Sequence, residues 1–244
     1  MTALEIERRS DRTVVRLCRP EVRNAINQQM VDELHDVCAE LERDPKILIL
    51  TGSTGVFASG ADIAELRERR AGDARKGINA TVFARIAALP MPVIAALDGY
   101  ALGGGAELAY AADFRIGSPT LKIGNPETSL GILAAAGATW RLVELVGEPV
   151  AKEILLAGRV LTADEALALG LITELHPSDA LLAAAHALAD RIAANDPLAT
   201  QHTKAALHAA RDEHPAVDSE AQAVLFESPA KFRRMTAFLE RKKR

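Results

Sequence analysis

The stretch Asp98-Gly-Tyr-Ala-Leu-Gly-Gly-Gly-Ala-Glu107-Leu-Ala-Tyr-Ala-Ala-Asp113 decides how the chain reads. It follows an apolar run, Pro92-Val-Ile-Ala-Ala-Leu97, that reads as a buried strand. It then passes through three consecutive glycines into small apolar residues that suit a helix. A junction of this kind leaves backbone N–H groups unpaired at the positive end of a helix, which is a ready anion site. Glu107 falls in the first turn of that helix. Pattern alone fits equally a tight turn with close helix–sheet packing, the acid merely complementing the helix dipole. Two commoner phosphate sites find no support: Gly103–Gly105 lacks the third glycine of a dinucleotide fingerprint, and no phosphate-loop lysine is present.

Two further segments share the character of the first. Gly55-Val-Phe-Ala-Ser-Gly-Ala-Asp62-Ile-Ala-Glu-Leu66 is a glycine-rich turn between an apolar run and an apparent helix, with Asp62 near the helix start. Leu121-Lys-Ile-Gly-Asn-Pro-Glu127-Thr-Ser-Leu-Gly131 makes an irregular turn at Gly124-Asn-Pro126, and Glu127 follows the proline. An isolated glutamate in a turn is ordinarily a solvated surface group.

Outward from these segments, Thr13–Cys18 and Lys46–Thr51 read as two more buried strands. Between them, Met30, Val31, Leu34, Val37, Cys38 and Leu41 recur at helical spacing over Gln28 to Asp44, and a second helix spans about Asn79 to Leu89. Strand–helix–strand alternation argues for an α/β core. After about Ala134 strand signals almost stop, and Pro197 and Pro215 sit where new helices start. The expected division is a core over residues 1–180 and a helical region over 181–244. The charged stretch from Leu66 to Lys76 reads as a mobile loop.

Composition narrows the function classes. With 49% hydrophobic but only 4% aromatic residues, the core must be built from Ala, Val, Ile and Leu. The net charge of −4 comes with intermixed signs, and no basic stripe appears before the last residues, so nucleic acid is not an expected partner. Nothing approaches the ~18 consecutive apolar residues of a membrane span. The first residues, Met1-Thr-Ala-Leu-Glu-Ile-Glu-Arg-Arg, put charges where a signal peptide needs an apolar run. Cys18 and Cys38 make no disulfide framework and read as free thiols in a reducing, cytoplasmic setting. The histidines show no metal or catalytic pattern.

Taken together, in this order and spacing, the three segments resemble the crotonase (enoyl-CoA hydratase/isomerase) superfamily. The resemblance runs from Arg19-Pro-Glu-Val-Arg-Asn-Ala-Ile-Asn27 to Ala237-Phe-Leu-Glu-Arg241. It implies a crotonase-like spiral of ββα units with a C-terminal helical trimerisation region, assembled as a homo-oligomer (a trimer or a dimer of trimers). It implies an oxyanion hole from the backbone N–H groups of Ala61 and Gly104, which would stabilise enolate-like charge on an acyl thioester. Both acid/base positions are glutamates: Glu107 to activate water attacking C3, and Glu127 to protonate C2 of a 2-enoyl-CoA. The N–H of Ala135 would help to hold the water. Coenzyme A, bound only as part of the substrate, would meet Arg23, Ala25, Ala58, Ser59, Asp62 and Ile63, with no metal and no resident cofactor. The basic end, Arg241-Lys-Lys-Arg244, could meet the CoA phosphates.

Hydration is thus the leading reaction, with enoyl-CoA isomerisation and a non-catalytic acyl-CoA-binding or scaffolding role as alternatives. The chain departs from the family pattern at Gly131-Ile-Leu-Ala-Ala-Ala-Gly-Ala-Thr-Trp-Arg-Leu142. Hydratases usually carry Pro-Gly where Ala134-Ala135 stands and Gln where Trp140 stands. A pocket altered in size or preference is the expected consequence. Arg233-Arg234 replaces the usual Glu-Gly near the end.

Overall fold

A computed structural model describes residues 2–241. The chain divides into two compact units, Met1–Ala189 and Asp190–Arg244. The first opens with β1 (Leu4–Arg8), β2 (Arg12–Leu17), α1 (Gln28–Arg43), β3 (Ile47–Thr51) and β4 (Val56–Ala58). Three helices follow, α2 (Ile63–Glu68), α3 (Ala71–Lys76) and α4 (Ile78–Ala87), then β5 (Val93–Leu97), β6 (Tyr100–Leu102) and α5 (Gly104–Tyr110). After β7 (Phe114–Gly117) and β8 (Lys122–Gly124) come α6 (Val143–Val146), α7 (Glu148–Ala157), β9 (Val160–Thr162), α8 (Ala163–Ala168) and β10 (Glu174–Leu175). Helix α9 (Leu181–Ala193) carries the chain into the second unit, which holds α10 (Pro197–Leu207), α11 (Ala216–Phe226) and α12 (Pro229–Arg241).

Two sheets organise the first unit. The larger runs β1-β2-β3-β5-β7-β10, parallel except for the β1/β2 pair; the smaller runs β4-β6-β8-β9, antiparallel only at β8/β9. The pairs β3–β4, β5–β6 and β7–β8 each give one strand to each sheet, and each is followed by helical structure. Three successive turns of a ββα spiral result. β3 and β5 are buried at every residue, as parallel strands covered on both faces must be. Against them packs α1, whose buried face is Met30, Val31, Leu34, Val37, Cys38 and Leu41 and whose first turn is capped by Asn27 Oδ1 accepting from Met30 N at 3.0 Å.

The stretch from Leu66 to Lys76 is helical rather than a loop. Asp62 caps α2 by accepting from the amides of Ala64 and Glu65, and Asp73 accepts from the Arg70 amide at the start of α3. No helix among the described residues is long and apolar enough to cross a membrane. In the second unit, α12 leaves Phe232, Met235, Phe238 and Leu239 exposed.

Candidate active site

The three motif segments converge because each follows a strand of the spiral. Gly60 and Ala61 follow β4, the glycine triplet follows β6, and Glu127 follows β8. They enclose a cavity of about 730 Å³ whose wall includes Ala61, Gly104, Glu107, Glu127, Ala135 and Ala136.

Two glycines of the triplet are forced by different contacts. Gly103 has φ +51°, and a β-carbon there would lie 3.1 Å from Glu127 Oε1. A β-carbon on Gly105 would lie 2.3 Å from the Ala58 carbonyl oxygen, so α5 lies directly against β4 only because this residue has no side chain. This approach brings the first amide of α5, that of Gly104, beside Ala61: the β-carbon position of Gly104 is 3.4 Å from Ala61 N. Among the described residues neither of these two N–H groups finds a hydrogen-bond partner within the protein. Ala61 is kept free because its neighbours take the bridge to the Arg19–Asn27 loop, Ile26 N donating to Gly60 O and Asp62 N to Ile26 O. Two adjacent donors at a helix start are equipped to receive developing negative charge.

Glu107 is 4% exposed. Its Oε1 accepts from Ala136 N at 2.7 Å and Ala138 N at 3.2 Å, leaving Oε2 as the uncommitted oxygen. Burial pushes its carboxyl up to about 7; the Ala138 and Ala136 hydrogen bonds oppose that rise, and the charge of Glu127 adds to it. Glu127, the first residue of a short 3-10 turn to Leu130, is 8% exposed rather than solvated. Burial likewise raises its pKa, against a hydrogen bond from Asn125 Nδ2 to Oε1 at 3.3 Å. Its Oε2 is buried with no partner among the described residues. Two raised carboxyls facing one cavity are suited to hold one proton between them and to move it.

Of the residues expected to meet coenzyme A, Ser59 and Ile63 line the cavity. The others lie along the seam beside it. Arg23 accepts from Ser59 N through its carbonyl, the Ala25 carbonyl accepts from Arg19 Nη1, and Asp62 pairs with Arg19 at 3.1 Å. Ala58 is fully buried against Gly105. Lys242, Lys243 and Arg244 lie outside the described residues. Ala135 lines the cavity, while the amides that bond Glu107 belong to Ala136 and Ala138. Sequence reasoning also missed Tyr110, Asn125 and Asn79. Asn79 lines the cavity and keeps Oδ1 buried without a partner among the described residues. Within the same residues no three His, Cys, Asp or Glu side chains are grouped to hold a metal.

Comparison with known proteins identifies the family. The family model for enoyl-CoA hydratase/isomerase matches residues 8–244. The chain is 38% identical to the short-chain-enoyl-CoA hydratase of Clostridium acetobutylicum, over 98% of this chain and 95% of that protein. It is 37% identical to the crotonyl-CoA hydratase of Syntrophomonas wolfei, with the same coverage. The crystal structure of enoyl-CoA hydratase from Thermoplasma volcanium superposes with a TM-score of 0.89 at 34% identity, covering 97% of each chain.

Proposed function

The chain belongs to the enoyl-CoA hydratase/isomerase family, and from that premise we propose that it adds water across the 2,3 double bond of a 2-enoyl-CoA. The observation that carries the reading is that two buried glutamates and two unpartnered amides face one cavity. The thioester oxygen accepts from Ala61 N–H and Gly104 N–H, which stabilise the enolate formed when water attacks C3. Glu107 Oε2 takes the proton of the attacking water, because its other oxygen is committed to the amides of Ala136 and Ala138. Glu127 enters protonated and delivers its proton to C2. The product gains the water's OH at C3 and the Glu127 proton at C2; the pair still holds one proton, now on Glu107, and its return to Glu127 resets the site.

Ala135 stands where the water would be held, and the Ala134–Ala138 wall sets the acyl space beside it. Coenzyme A enters as part of the substrate, along the seam from Arg23 and Ala25 to Ser59, Asp62 and Ile63. We read the protein as cytoplasmic and as a trimer or dimer of trimers, the exposed apolar side chains of α12 supporting association. An assay on crotonyl-CoA and longer 2-enoyl-CoAs in isotopically labelled water tests the reading. Hydration places labelled oxygen at C3. A moved double bond with no oxygen gained would make the protein an isomerase, and binding without turnover across the series a non-catalytic subunit.

A further inference from the structure

Asn125 touches both halves of the site without belonging to either. Its Nδ2 donates to Glu127 Oε1 at 3.3 Å and to the Gly103 carbonyl at 3.3 Å, and its Oδ1 accepts from the Tyr110 hydroxyl at 3.0 Å. The Gly103 carbonyl, which also accepts from Glu107 N at 3.0 Å, is one end of a planar peptide group whose other end is the Gly104 N–H. Holding that carbonyl therefore aims the oxyanion donor. A half-turn of the Asn125 amide would set Oδ1 against two acceptors, Gly103 O and Glu127 Oε1. Those two acceptors oppose it, and the phenol adds to the preference by giving its one proton to Oδ1. Tyr110 and Asn125 are 3% and 1% exposed, so the bond between them is made away from bulk solvent. Resting on the hydratase reading, we infer that Tyr110 is a positioning residue: it locks the Asn125 carboxamide, which holds Glu127 and the Gly104 amide in register.

A double-mutant cycle on the full chain tests this. Tyr110→Phe keeps the ring and should lower kcat for crotonyl-CoA hydration about tenfold, with KM within twofold. Asn125→Leu should lower it about a hundredfold, because donors to both groups go at once. Tyr110→Phe should then cost nothing further in the Asn125→Leu background, since its effect passes through Asn125. Equal losses in both backgrounds, or a Tyr110→Phe kcat within twofold of wild type, would overturn the inference.

The infrared carbonyl stretch of bound butyryl-CoA, which is saturated and undergoes no hydration, gives a second readout. It should fall on binding to wild type, and part of that fall should be lost in Tyr110→Phe and more in Asn125→Leu. An unchanged stretch in both variants refutes the lock. Because this arm needs no turnover, it decides the inference even if wild type fails to hydrate, an outcome that would sink only the hydratase reading. Should Tyr110→Phe fail to fold, Tyr110→Met, which likewise lacks the hydroxyl proton, takes its place in both arms, with the same outcomes expected and the same ones overturning the inference.

Discussion

Replacing Glu107 with Gln should abolish most activity while stabilising the protein, and the gain should grow with pH. The carboxyl ordinarily titrates at 4.5, and in the folded chain burial holds it up at about 7. Between those values the unfolded chain has released this proton and the folded one retains it, so stability falls as pH rises. The loss begins near pH 4.5, is complete above about pH 7, and amounts to about 3 kcal/mol at about 1.4 kcal/mol per pH unit. Gln does not titrate, and its amide oxygen still accepts from Ala136 N and Ala138 N. The stability difference between Glu107→Gln and wild type should therefore rise by about 3 kcal/mol between pH 4.5 and pH 8. Urea unfolding at several pH values measures it, alongside hydration rates that should fall at least ~100-fold. A stability difference that stays flat with pH, or shrinks as pH rises, would refute the claim that this carboxyl is forced to ionise in a dry site.

Glu127→Gln should also cost at least ~100-fold in hydration. It should let the Glu107 pKa fall below about 7 yet stay above 4.5, because burial remains when the neighbouring charge is gone; an NMR titration of labelled glutamate that still reads 7 counts against the pairing. Gly105→Ala pushes a β-carbon to 2.3 Å from the Ala58 carbonyl and should destabilise by about 1–3 kcal/mol, read as a lower Tm, with activity falling as the Gly104 amide leaves Ala61. An unshifted Tm would mean that the helix is not held there. Asp98 accepts from Ser118, Thr120 and Ser178 hydroxyls and from Gly55 N; burial raises its pKa, but these bonds outweigh that and hold it below the usual value. Asp98→Ala should cost about 3 kcal/mol at neutral pH by stranding those donors. That deficit should shrink as pH falls below the ordinary carboxylate value, and a pH-independent deficit would argue against it.

The larger sheet is legible because its buried parallel strands, Ile47–Thr51 and Val93–Leu97, read as unbroken apolar runs. The smaller sheet is not. β4, β6 and β8 have three residues each, too few for any periodicity, so the three ββα turns leave no repeat in the sequence. The start of α2 is signalled by Asp62, its N-cap, but its extent and the whole of α3 are hidden because neither helix buries an apolar stripe. Glu107 is visible beside its glycines, but the burial of Glu127 depends on Gly103 coming within contact across the fold. The amides of Ala136 and Ala138 act through the backbone and have no side-chain signature. Tyr110 and Asn125 meet across fifteen residues of chain, which no local pattern encodes.

One short helix carries both the Gly104 donor and Glu107. All seven of its residues are buried. At about 1.5 Å of rise per residue, the two are spaced about 4.5 Å along its axis by the backbone alone. Secondary structure here acts as a gauge block: the backbone interval between the two residues is machined into α5, and the acyl wall adds only the Ala136 and Ala138 amides that steady the Glu107 carboxylate. Residues 132–134, which have no regular structure and make none of the hydrogen bonds to Glu107, can vary in bulk without resetting that interval. A chain built this way can be retargeted to a new acyl group by changing one wall while its reacting geometry stays in calibration.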